Sequence, residues 1–251
     1  LGAMEPLLKL LMAPNPSLRI QRDATWMLSN MCRGKDAPWD IISPGVPVLS
    51  RLLYSADNVI LTDACWALLF MVEGDSSRTS QLLADGIGPQ LVSLLRHPSH
   101  AVQLPALRLV GSFLFGDEEQ TQAMLNMNVL VGLDSLLHSE LKKLRKEAAW
   151  SLSNVAAGTP PQLQALIDYT SIMTTLIEYA YHGENNTRIE SLHTLANAFK
   201  FANSFRLEPG MLWPTISTAR TIPSLRPSSR PSSACSPLDS RTTRFPNTTT
   251  R

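Results

Sequence analysis

The chain has 251 residues, 44% hydrophobic and 17% charged, which is enough apolar material to bury a sizeable core. Its net charge of +1 hides a split: from Ser204 onward seven Arg face only Glu208 and Asp239, about +5, which leaves about −4 on residues 1–203. A mildly acidic body argues against a nucleic-acid binder and suits a cationic partner, and no apolar run is long enough to span a bilayer.

The N-terminus, LGAMEPLLKLLM, begins inside a helical pattern with no initiator Met, as a fragment would, and its first element is MEPLLKLLM. It lacks the charged start and cleavage site of a signal peptide. Pro14 separates it from a helix bearing the phrase DATWMLSNMCRG. VPVLSRLLY then precedes TDACWALLFMVEG, with a break near Asn58, and PQLVSLLRH precedes LPALRLVGSFLFG, with a break at Pro98. GLDSLLHSE precedes KEAAWSLSNVAAG, and IMTTLIEYA precedes a worn copy, IESLHTLANAFKF. Each phrase spaces its apolar residues at i, i+3, i+4 and i+7, so each is predicted to be a helix with one buried face; Ala149, Leu152 and Val155 or Ala156 share such a face. A closing glycine is expected to end each helix in the left-handed conformation. A short helix follows each glycine, as in QTQAMLNMN and PQLQALIDY.

Aligned on Trp26, Trp66, Arg108, Trp150 and His193, the phrases recur at intervals of 40, 42, 42 and 43 residues. Gly34, Gly74, Gly116 and Gly158 keep step eight residues behind. Three helices in a period near 42 is the armadillo arrangement. The expected fold is all-α, a right-handed superhelical solenoid of about five armadillo repeats (roughly 1–43, 44–86, 87–128, 129–169 and 170–203), with a long concave surface that the third helix of each unit lines. Residues 204–251 are about half Ser, Thr or Pro, so a disordered tail is expected there.

Three residues before and four after each anchor lie on the anchor's own helical face. Asp23, Asp63, Pro105, Glu147 and Glu190 stand before it; Asn30, Phe70, Ser112, Asn154 and Asn197 stand after it. The phrase is therefore acid, Trp, Asn, repeated along the rod. An Asn amide both donates and accepts, so a row of them can hold a peptide backbone whatever its sequence. Trp rings form slots for the stems of Lys and Arg, with the charged head over a ring or against an acid. A Trp on an amphipathic helix is more often core than ligand slot, and a mid-helix Asn often faces solvent. Recurrence in one register favours a binding stripe, because Asn has modest helix propensity.

TWMLSNMCRGK, LTDACWALLFMVEGD, PALRLVGSFLFGDEEQTQ and KEAAWSLSNVAAGTPPQLQALID closely resemble repeats of importin-α over about residues 1–203. The resemblance implies a nuclear-import adaptor, active in cytoplasm and nucleus. It would hold nuclear localisation signals of cargo proteins in its concave groove, join importin-β and be unloaded by an export factor in the nucleus. On that likeness Trp26 and Asn30 match the last pair of a major site, and Asp63, Trp66 and Phe70 match the repeat after it. Arg108 matches an Arg that interrupts the Trp ladder. Glu147, Trp150, Asn154, Glu190 and Asn197 match a minor site. Ser112 departs from the family's Asn and His193 from its Trp. The family's basic arm for importin-β and its last repeats have no counterpart here.

Catalysis is not expected. The five His (His97, His100, His138, His182 and His193) are scattered, there is no phosphate loop or zinc signature, and no cofactor is implied. Cys32, Cys65 and Cys235 show no metal or pairing spacing, which fits a reducing compartment. The rival readings are a non-import armadillo scaffold for protein–protein interaction and an importin-like paralogue with a degraded cargo site.

Overall fold

The computed structural model describes residues 2–34, 37–73 and 75–204, the side chains of 202–204 excepted. The Ser/Thr/Pro/Arg-rich stretch read as a tail lies outside these apart from Ser204, as does Gly74. Among the described residues there are fourteen α-helices and no strand. In chain order they are α1 (Met4–Met12), α2 (Leu18–Cys32), α3 (Trp39–Ile42), α4 (Val46–Leu52), α5 (Asn58–Val72), α6 (Ser76–Ala84) and α7 (Gly88–Leu94). Then come α8 (His100–Leu114), α9 (Glu118–Asn126), α10 (Val129–Leu137), α11 (Lys142–Ala156), α12 (Pro160–Ile167), α13 (Thr170–His182) and α14 (Asn185–Ser204). The five repeated phrases are the long helices α2, α5, α8, α11 and α14. Each packs on the next, and the shorter helices pack alongside them.

Local chemistry starts these helices where they start. Ser17 caps α2 through the Ile20 amide, Asp57 caps α5 through Val59 and Ile60, and Asp117 caps α9 through Gln120. Thr159 and Gln162 form a reciprocal capping box on α12. The expected helix-ending geometry holds only in part. Gly34 has a positive φ, but Gly116 and Gly158 do not. These two donate their amides to the carbonyls three residues back, of Phe113 and Val155. What they require is room: a Cβ on either would run into the amide of Gln120 or Gln162, which folds back from the next short helix.

Packing follows the anchor register. Two residues after each anchor come Leu28, Leu68, Val110, Leu152 and Leu195, all buried. Two before come Ala24, Ala64, Ala106, Ala148 and Ser191, also buried and small enough to let neighbouring helices approach. Ala149, Leu152, Val155 and Ala156 are buried together as their spacing predicts. Polar ties join successive units: Gln120 donates to the Ser76 carbonyl, Gln162 to that of Glu118 and Tyr179 to that of Leu137, while Arg22 pairs with Asp57. Cys32 and Cys65 are free and buried, and burial pushes both thiols up to about 12.

Candidate functional site: a stripe along the long helices

The anchor stripe lies on the side of each long helix away from the buried +2 row, so its side chains meet those of the neighbouring units. Exposure varies along it. Trp26 is 57% exposed and Asn30 and His193 are exposed, whereas Trp66, Phe70, Arg108, Trp150, Asn154 and Asn197 are half-buried. Asn30 donates its amide to the Trp26 carbonyl (2.9 Å), which leaves its oxygen free to accept. The Nδ2 of Asn154 is buried with no hydrogen-bond partner.

The acids differ by environment. Asp23 faces Arg19 at 3.8 Å on the open surface. Glu147 accepts from the Arg108 guanidinium at 3.1 Å. Glu190 accepts from the Ser153 hydroxyl at 3.0 Å and lies 3.5 Å from Nδ1 of His193. Asp63 has no cation within pairing distance among the described residues. Burial pushes its carboxyl up to about 6. The structure thus leaves one acid of the stripe half-buried and uncompensated.

The rings are also partnered. Trp66 stacks on Phe70, one turn along α5, with centroids 5.7 Å apart. The Arg108 guanidinium sits 5.8 Å from the Trp66 centroid while it bonds Glu147, so this one side chain bridges α5 and α11. Ser112 turns its hydroxyl back to the Arg108 carbonyl instead of outward. The indole of Trp150 lies over Gly111 of α8, where an added Cβ would come within 3.0 Å of Cε3. It also stacks with Phe115, centroids 6.3 Å apart. The Arg33 guanidinium lies 5.8 Å from the Phe70 centroid. Phe115 and Arg33 are stripe residues outside the acid–Trp–Asn phrase. Both stand seven after their anchors, a register that one further turn of the same face would have included.

An armadillo/beta-catenin-like repeat model matches residues 1–33 and 36–69. Importin subunit alpha-1a of Oryza sativa subsp. japonica is 45% identical over 169 residues, 66% of this chain and 32% of that protein. Importin subunit alpha-3 of Arabidopsis thaliana is 43% identical over 151 residues, 59% of this chain and 28% of that one. Importin subunit alpha-B of Dictyostelium discoideum is 43% identical over 114 residues, 45% and 22% of the two chains. Over the matched residues this chain is similar to the armadillo region of importin-α proteins. It spans about a third or less of the length of the curated importin-α relatives it matches. Solved armadillo structures share the fold. A designed armadillo repeat protein in complex with peptide (KR)4 superposes with a TM-score of 0.74 at 22% identity, covering 88% of this chain and 92% of that one. A computationally designed armadillo protein for modular peptide recognition gives 0.75 at 21%, covering 88% and 94%.

Proposed function

We propose that the long-helix stripe holds an extended Lys/Arg-rich segment of a partner protein, as a cargo-binding groove of a nuclear-import adaptor does. The observation that carries this reading is Asp63: a half-buried carboxylate with no cation beside it among the described residues, on a helix packed against the one that exposes Trp26 and Asn30. A buried unpaired charge is costly to a fold, and a cation arriving from a partner removes that cost. Trp26 offers an open ring to aliphatic stems and cationic heads, and the Arg108 guanidinium at the Trp66 ring shows a cation on such a face. Asn30, Asn154 and Asn197 supply sequence-blind contacts to a peptide backbone. In the later part Glu147 is paired with Arg108 and Glu190 accepts from Ser153, and Arg108 divides the two parts. The five repeats with the bounds given above form one continuous rod in this reading. Similarity to importin-α supports the finer role: cargo bound through its nuclear localisation signal, importin-β as transport partner, an export factor in the nucleus, and residence in cytoplasm and nucleus. No described helix is long and apolar enough to cross a membrane.

The test is fluorescence anisotropy of a labelled Lys/Arg-rich peptide against the full chain at two salt concentrations. Saturable binding that weakens with salt is expected. Trp26→Ala is expected to weaken it about tenfold or more with helix content unchanged, because Trp26 lies mostly outside the core. Folded protein that binds no such peptide would refute the reading.

A further inference from the structure

The stripe is not equally open along its length, and the difference comes from a single helix. α8 carries two side chains that occupy ring faces of its neighbours. Arg108 reaches back to Trp66 on α5 and is locked there by Glu147. Phe115 reaches forward to Trp150 on α11, where Gly111 of the same helix underlies the rest of the indole. Phe115 is 69% exposed, and its chain neighbours Phe113 and Leu114 are the ones that fill the core. Folding therefore gains little from this ring, which stacks with Trp150. Beyond Trp150 the next anchor is an imidazole, His193, and the acid beside it, Glu190, is already engaged by Ser153 and by that imidazole.

We infer that the stripe beyond Asp63 is filled from within, so that this chain seats one cluster of Lys/Arg side chains, on the Trp26–Asp63 part, and not two linked clusters. The inference rests on the proposed basic-peptide groove and names the class of segment it takes. In the early part Trp26 is largely open and Asp63 has no cation among the described residues. In the later part Trp150 is packed on Gly111 and stacked with Phe115, Glu147 is paired with Arg108, and Glu190 is held by its neighbours. Asn154 and Asn197 can still hold peptide backbone there, which adds contact without selecting basic side chains. Phe115 is thus a specificity-determining residue: it denies the second cluster its ring.

Effective concentration makes this measurable. A second cluster tethered to a bound first one, and able to engage, raises affinity by about 10²–10⁴. Two labelled peptides are compared on the full chain at 150 mM salt: one with two Lys/Arg clusters joined by a flexible linker of about ten residues, the other with the second cluster changed to Ala. The expected result is that the two bind within about threefold of each other. Phe115→Ala is then expected to favour the two-cluster peptide by about tenfold or more while leaving the one-cluster peptide unchanged. A two-cluster peptide that binds the unmodified chain at least tenfold tighter overturns the inference and leaves the groove reading intact. Failure of both peptides to bind folded protein overturns the groove reading and this inference with it. The comparison on the unmodified chain decides the matter even if Phe115→Ala does not fold.

Discussion

Asp63→Asn separates the cost of the stripe from its use. In the folded chain burial raises the carboxyl from its ordinary 3.8 to about 6. A group whose folded value is raised contributes stability that is present in full below its unfolded value and is lost as pH rises through its folded value. At pH 7 the whole penalty is in force. The gap between 3.8 and about 6, at about 1.4 kcal/mol per pH unit, sets a ceiling of about 3 kcal/mol. The side chain is only half-buried, and solvent screening cuts this to about half, roughly 1.5 kcal/mol. Replacing the carboxylate by a neutral amide of the same shape is therefore expected to stabilise the chain by that amount at pH 7, a rise of roughly 3–6 °C in Tm for a rod of this size. The gain is expected to shrink as pH falls from 6 and to vanish below about 4. Urea or thermal denaturation at pH 7 and pH 4 measures it. The same variant is expected to bind a basic peptide about tenfold more weakly. A variant less stable than the parent at pH 7, or equally stabilised at both pH values, would show that burial of this charge is not what the fold bears here.

Three further outcomes follow from the packing. Gly111→Ala is expected to displace the Trp150 ring and cost about 1–3 kcal/mol, because the new methyl occupies the ring's place; a shifted tryptophan emission with a lowered denaturation midpoint checks it. Gln162→Ala removes both half of the α12 capping box and the tie to the Glu118 carbonyl, and is expected to cost about 1–3 kcal/mol in denaturant titration. Asp57→Ala loses the α5 cap as well as its Arg22 pair and is expected to cost about 1–2 kcal/mol more than Arg22→Ala, which breaks only the surface pair.

Much of the rod was legible in the sequence because its repeat imposes the same packing five times. A single anchor register placed the long helices and the acid–Trp–Asn stripe, and apolar spacing placed the buried face of α11. Less legible were contacts that cross between units. Arg108 and Glu147 lie 39 residues apart, and their bond depends on how α8 docks against α11. Phe115 fell outside the phrase by one helical turn, although its +7 register places it on the same face. The glycines were legible as helix ends but for the wrong reason at Gly116 and Gly158: what excludes a side chain there is the returning glutamine, which only the packed structure brings near. The opposite fates of Asp63 and Glu147, one uncompensated and one paired, likewise follow from neighbours on other helices.

Gly111 has a consequence of scale. Without a side chain there, with Ser151 facing it and small residues at the −2 row, α8 and α11 can draw toward the lower end of the usual 8–10 Å between helix axes. An extended polypeptide advances about 6.7 Å for every two residues. The two rulers disagree by about 1–3 Å at each step, so over the four steps from α2 to α14 the accumulated slip is on the order of a residue or more. A strand held along the rod as proposed would therefore meet it as a vernier, whose marks coincide over a short stretch and then drift apart.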